Sequence, residues 1–171
     1  MKFRRGALGG TFSLLHEGHK HLIRRALEYA ERLVIGVSSN ELVERLGKSH
    51  PVEDLAERIE RLKEFLAREH ALHRCEVVVI DDRAGPAASD PELDCLIATD
   101  ETLMSALEVN VHRISRGLPP LSLVVVEPLL DYDGTPLSST KLWERLRREA
   151  PPKRRRGTGP APSGILGRAH R

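Results

Sequence analysis

Short apolar runs alternate with helical periods along most of the chain. Phe3 to Leu8 reads as a strand that stops at Gly9-Gly10. Glu17 to Glu31 reads as a helix, because Leu22, Ile23, Ala26, Leu27 and Ala30 fall on one face. Leu33-Val34-Ile35-Gly36-Val37 is a continuous apolar run, the pattern of a strand buried on both sides. Glu53 to Glu69 is helical, with Leu55, Ile59, Leu62 and Leu66 spaced by three and four. Cys75 to Ile80 and Leu93 to Ala98 read as strands, separated by a loop that holds Gly85, Pro86 and Pro91. Glu101 to Arg116 is a helix stopped by Gly117 and Pro119-Pro120, and Leu121 to Val126 is a fifth strand. Asp131-Tyr132-Asp133-Gly134 is a turn, and Ser138 opens a last helix through about Arg148.

Strands alternating with helices predict an α/β domain with a parallel sheet. In such sheets ligands sit beyond the carboxyl ends of the strands, where strand order reverses. The 171 residues suffice for one domain with its own core. Residues 1–150 are expected to form that domain. Residues 151–171 are rich in Pro, Gly and Arg and are expected to be a disordered basic tail.

Charge sharpens this division. The formal net charge is +2, but residues 151–171 carry six Lys/Arg and no Asp/Glu, so the body is net acidic. A nucleic-acid-binding domain needs its positive charge on a folded face, so such a partner is not expected. No apolar run approaches membrane-spanning length, and the N-terminus lacks a signal-peptide core, so a cytoplasmic protein is expected. Cys75 and Cys95 match no disulfide or zinc spacing and read as core thiols. Arg outnumbers Lys 21 to 6 and Gln is absent, a bias expected of a thermophile. A monomer is the simplest state.

The densest chemical signal follows the first strand: Gly9-Gly10-Thr11-Phe12-Ser13-Leu14-Leu15-His16-Glu17-Gly18-His19. Adjacent glycines let the backbone turn sharply and approach a ligand. Two His three apart then open a helix, whose free amides and dipole favour an anion. The motif is neither a Walker A loop nor GxGxxG, and its spacing is not that of HExxH, so no protein metal site is expected. A second signal, Ser138-Ser139-Thr140-Lys141, puts three hydroxyls and a cation at another helix start. Alone these are N-caps; beside a phosphate-binding turn they can grip a polyphosphate.

Together the motifs resemble the HxGH nucleotidyltransferase superfamily, with its GGTF-(x)3-HxGH start and ISSTxIR-like end. Weaker middle segments are similar to the archaeal-type phosphopantetheine adenylyltransferases: Lys48 with Val52-Glu53 and Arg58, Ala98-Thr99-Asp100-Glu101-Thr102, and Asn110-Val111-His112-Arg113 with Arg116-Gly117-Leu118. The resemblance implies a Rossmann-like fold, a five-stranded parallel sheet with helices on both faces. It implies adenylyl transfer from ATP to 4′-phosphopantetheine by direct in-line attack, giving dephospho-coenzyme A and pyrophosphate. Mg²⁺ is expected, held mainly by the ATP phosphates.

The resemblance also assigns roles. His19 and His16, with Lys48, are the catalytic group. Gly9, Gly10, Thr11, Phe12, His16, Gly18, His19, Thr99, Ser138, Ser139, Thr140 and Lys141 bind the nucleotide. Thr11, Lys48 and Arg113 hold the acceptor, with Arg116 a further candidate for a second phosphate clamp. The chain departs from the pattern at Ser13, where many relatives have Asp, and at Lys141, where Arg is common. Other acceptors remain open at this point, as in FAD synthetase, nicotinamide mononucleotide adenylyltransferase or a cytidylyltransferase. So does a non-catalytic nucleotide-binding module. His50, His70 and His73 are expected to be solvated.

Overall fold

A computed structural model describes residues 2–150; the expected basic tail lies outside the described residues. Five strands form one parallel sheet: β1 (Phe3–Gly10), β2 (Ala30–Ser38), β3 (Cys75–Ile80), β4 (Cys95–Ala98) and β5 (Ser122–Val125), in the order β3-β2-β1-β4-β5. Every pairing is parallel. The helices are α1 (Glu17–Tyr29), α2 (Asn40–Leu46), α3 (Leu55–Arg68), α4 (Leu103–Ser115) and α5 (Ser139–Glu149).

Neighbouring residues on the central strands serve different cores, because side chains alternate across a sheet. Leu8, Ile35 and Ile97 pack with Ile23, Ala26, Leu62 and Leu66 of α1 and α3. Ala7, Val34, Leu96 and Ala98 pack with Ala106 and Val109 of α4. Helices therefore cover both faces, and residues 33–37 of β2 and the whole of β4 read as apolar runs for that reason. Chain order reverses between β1 and β4, so the crevice opens beyond Gly10 and Ala98.

The differences from the expected elements have local causes. β2 starts at Ala30, because Ala30 is already in register with Phe3. α4 starts at Leu103; the Thr102 hydroxyl accepts from the Thr99 amide and keeps residues 100–102 in a 3-10 turn. α2 is an additional helix of seven residues, capped by Ser39, whose hydroxyl accepts from the Leu42 amide at 3.1 Å. It ends at Gly47, whose φ of 60° is the left-handed conformation that glycine adopts without strain. Cys95 is buried and Cys75 half-buried; both thiols are free, and burial pushes them up to about 12 and about 11, so they are inert.

Candidate active site

β1 ends in Gly9-Gly10 and delivers the chain to an unusual loop. Phe12, Leu14 and Leu15 have φ of 56°, 61° and 31°. Left-handed backbone costs a non-glycine residue about 1–2 kcal/mol, so other contacts must hold this loop. Phe12 is 2% exposed and anchors it from below. From above, the Glu53 carboxylate accepts from the Ser13 hydroxyl and the Leu14 amide, both at 2.7 Å. Burial alone would raise that carboxyl. Hydrogen bonds from its own amide, Ser13 and Leu14 outweigh burial and hold it below the usual range.

His16 then caps α1. Its Nδ1 accepts from the Gly18 amide at 3.1 Å, and His19 Nδ1 accepts from the His16 amide at 3.3 Å. The rings stack with centroids 3.7 Å apart, and Phe12 lies 5.3 Å from the His19 ring. Gly18 is required here, because a Cβ would stand 2.9 Å from two atoms of the His16 ring. A backbone amide donates to each Nδ1, so each ring keeps its proton on Nε2. Burial lowers His16 to about 4 against a smaller raising effect of Glu17. Burial, then His16 and Lys48, lower His19 to about 3. Both rings are neutral at pH 7, and each Nε2–H is left as a donor.

The loop borders a cleft of about 340 Å³ beyond the strand ends. Its walls bring together Gly9, Gly10, Thr11, Phe12, His16, Gly18, His19, Lys48, Thr99, Ser138, Ser139 and Thr140. Ser138 caps α5 by accepting from the Lys141 amide, and the Ser139 hydroxyl donates to the Ser13 carbonyl at 2.9 Å. A second cavity of about 340 Å³ continues between the sheet and α4, lined by Ala7, Val34, Gly36, Leu46, Ile80, Leu96, Ala106 and Val109. Gly9, Gly10, Thr11, Lys48, Glu101 and Thr102 border both spaces.

Three expected residues are placed elsewhere. Arg113 is 0% exposed, and its guanidinium donates to the carbonyls of Pro119, Ala87 and Asp90 at 2.9, 2.9 and 2.8 Å. It staples α4 to two loops and lines neither space, which removes it as an acceptor ligand. Lys141 also lies outside both walls, because its ammonium pairs with Asp133 at 3.0 Å. Arg116 reaches the Ala88 carbonyl at 3.3 Å and borders neither space.

Other residues occupy the site unannounced. Arg83 joins the expected Lys48 as a cation lining the second cavity. His50, expected in solvent, is half-buried on the cleft wall, as is His21. His70 and His73 are exposed as expected. No cluster of three or more His, Cys, Asp or Glu able to hold a metal occurs among the described residues.

The comparisons with known proteins agree with this geometry. The model of the cytidylyltransferase-like family matches residues 7–145. The chain belongs to that family. Among relatives, a phosphopantetheine adenylyltransferase of Methanopyrus kandleri is 42% identical, over 82% of this chain and 89% of its own. A phosphopantetheine adenylyltransferase of Pyrobaculum aerophilum is 34% identical, over 86% and 94%. A solved structure titled as a protein with unknown function from Archaeoglobus fulgidus superposes with a TM-score of 0.65 at 30% identity, over 81% of this chain and all of that one. Within the cytidylyltransferase-like family the chain therefore groups with archaeal phosphopantetheine adenylyltransferases. No helix among the described residues is long and apolar enough to cross a membrane.

Proposed function

We propose that the protein transfers the adenylyl group of ATP to 4′-phosphopantetheine, giving dephospho-coenzyme A and pyrophosphate. The observation that carries the mechanism is the pair of imidazoles whose Nδ1 atoms are occupied by backbone amides. An imidazole that offers only Nε2–H is a hydrogen-bond donor and not a nucleophile. His19, supported by His16, donates to the α-phosphoryl oxygens as charge builds there. A preformed donor of this kind contributes most when the site is partly withdrawn from water. The acceptor phosphate oxygen attacks the α-phosphorus in line, and the bond to the bridging oxygen of pyrophosphate breaks.

The two spaces divide the substrates. The ATP phosphates occupy the cleft, with Ser138, Ser139 and Thr140 on the β- and γ-phosphates and Thr99 beside the nucleoside. The second cavity shares wall residues with the cleft, and its aliphatic side chains on the sheet and α4 suit the pantetheine arm. Thr11 and Lys48, which border both spaces, stand where the acceptor phosphate must meet the α-phosphorus. Arg83, on the wall of the second cavity, supplies a second cation for the acceptor, in place of the excluded Arg113. Mg²⁺ would neutralise triphosphate charge. The phosphate end of the cleft offers imidazoles and hydroxyls, which fits an ion held by phosphates and water.

The test is pyrophosphate release from ATP and Mg²⁺ with 4′-phosphopantetheine, FMN, nicotinamide mononucleotide or buffer. Release with phosphopantetheine alone is expected. Release with another acceptor and not with phosphopantetheine overturns the substrate assignment.

A further inference from the structure

We propose that Glu53 is a positioning residue for this reaction: through Ser13 and Leu14 it holds the left-handed loop that aims His16 and His19. The proposal's kinetic consequence rests on the adenylyl-transfer reading; its structural consequence does not.

The loop's own bonding is slight: the Leu15 amide donates to the Phe12 carbonyl at 3.4 Å. Phe12, Leu14 and Leu15 are L-residues at positive φ, and two of them are leucines without a polar group to compensate. Glu53 immediately precedes Asp54, the N-cap of α3, and reaches across to the loop. One carboxylate oxygen accepts from the Ser13 hydroxyl and the other from the Leu14 amide. Its other partners among the described residues are its own amide and Arg61, a half-exposed side chain 3.4 Å away. Its contacts are thus spent on the loop and not on the core.

The same helix start grips the loop a second time. Arg58, 1% exposed, donates to the Thr11 carbonyl at 2.9 Å, the Ser38 carbonyl at 2.8 Å and the Glu53 carbonyl at 2.8 Å. The N-terminal end of α3 therefore holds the chain on both sides of Phe12, whose ring meets His19. Ser13 is also the residue whose carbonyl accepts from Ser139. Glu53 sits at the node that joins α3, the histidine loop and the start of α5. Without its carboxylate, the Leu14 amide loses its acceptor and Leu14 can relax to negative φ. The segment leading into His16 then shifts, and small displacements of a donor are costly in rate.

The test compares Glu53→Ala and Glu53→Gln with the parent by steady-state pyrophosphate release and by NMR titration of the imidazoles without substrate. Glu53→Ala is expected to lower kcat by at least about 10-fold and leave the KM for phosphopantetheine within about 2-fold. It should also move the His16 and His19 titrations upward from about 4 and about 3, as the opened loop admits water. Gln keeps an acceptor for Leu14 and a donor toward Ser13. Glu53→Gln should therefore stay within about 3-fold in kcat, with parent-like imidazole titrations. Unchanged kcat in folded Glu53→Ala overturns the proposal, and so does a loss of kcat with parent-like titrations. If the parent releases no pyrophosphate with phosphopantetheine, the functional reading falls. The titrations then decide alone: an upward move in Glu53→Ala supports the positioning role and its absence overturns it. If Glu53→Ala does not fold, Ser13→Ala carries the test with the same readouts and a smaller expected loss, about 3-fold.

Discussion

Residues 9–19 and residues 131–141 bring polar groups to the same cleft but are held by different means. The first segment leaves the central strand, carries buried Phe12 and Ser13, and is bonded from α3 through Glu53 and Arg58. The second runs over the surface to α5, which has no buried residue. It is tied by the Leu130–Pro136 bridge, by the ion pairs Lys141–Asp133 and Arg145–Asp131, and by the Ser139 hydroxyl on Ser13. In the proposed mechanism, the groups aimed at the reacting phosphorus sit in the fixed segment, and those that only grip outer phosphates sit in the one that ordinary surface contacts hold.

Breaking the fixed segment at its chemical end should give the largest effect. His19→Ala is expected to lower kcat by about 10²–10³, on the order of 3–4 kcal/mol, with ATP binding retained. A comparable loss of ATP affinity, seen by calorimetry, would instead make His19 a ground-state ligand.

Acid should distinguish the segments next. Both imidazoles titrate lower in the fold, at about 4 and about 3, than the ordinary 6.5 of an unfolded chain. Between these values the unfolded chain binds protons that the folded chain does not. The stability these two groups contribute is therefore complete above about pH 6.5 and is lost as pH falls through about 4 and about 3. Urea midpoints at pH 7, 5.5 and 4.5 measure this loss. A double variant, His16→Gln with His19→Asn, should flatten it.

Cutting the tie between the segments is milder. Ser139→Ala removes one hydrogen bond to Ser13 and one hydroxyl from the cleft. A loss of about 1 kcal/mol, roughly 5-fold in the KM for ATP, is expected, with kcat changed less. An effect as large as that of His19→Ala would show that the surface segment also aims the chemistry.

Lys141→Ala should matter least. Its ammonium belongs to a partly exposed pair with Asp133, so stability should fall by under about 1 kcal/mol and the KM for ATP should stay within about 2-fold. A 10-fold rise in that KM would return Lys141 to the phosphate-binding role that the resemblance gave it.

The same contrast explains what could be read from residues alone. The strands, α1, α3 and the histidine loop were legible because their signals are local: apolar runs, helical spacing, paired glycines before a capped helix. α2 was not, because seven residues are too short to show a period, although Ser39 and Gly47 are proper caps for it. Arg58 and Arg113 look alike in sequence and are equally buried, yet one is bonded to the site loop and the other to remote carbonyls. Only the fold separates them. Glu53 carries no local chemical signal, because its partner Ser13 lies 40 residues away. Arg83 stood in a loop with no pattern, and the strand order alone brings it to the second cavity.

The central claim is that the histidines donate hydrogen bonds to a directly transferred adenylyl group and never carry it. The most direct test is the stereochemical course at the α-phosphorus, followed with one diastereomer of ATP bearing sulfur at that position and with 4′-phosphopantetheine as acceptor. Inversion of configuration is predicted, since one in-line displacement inverts the centre once. Retention would require two displacements and an adenylyl-enzyme intermediate, and would contradict an imidazole whose Nε2 is occupied by its proton.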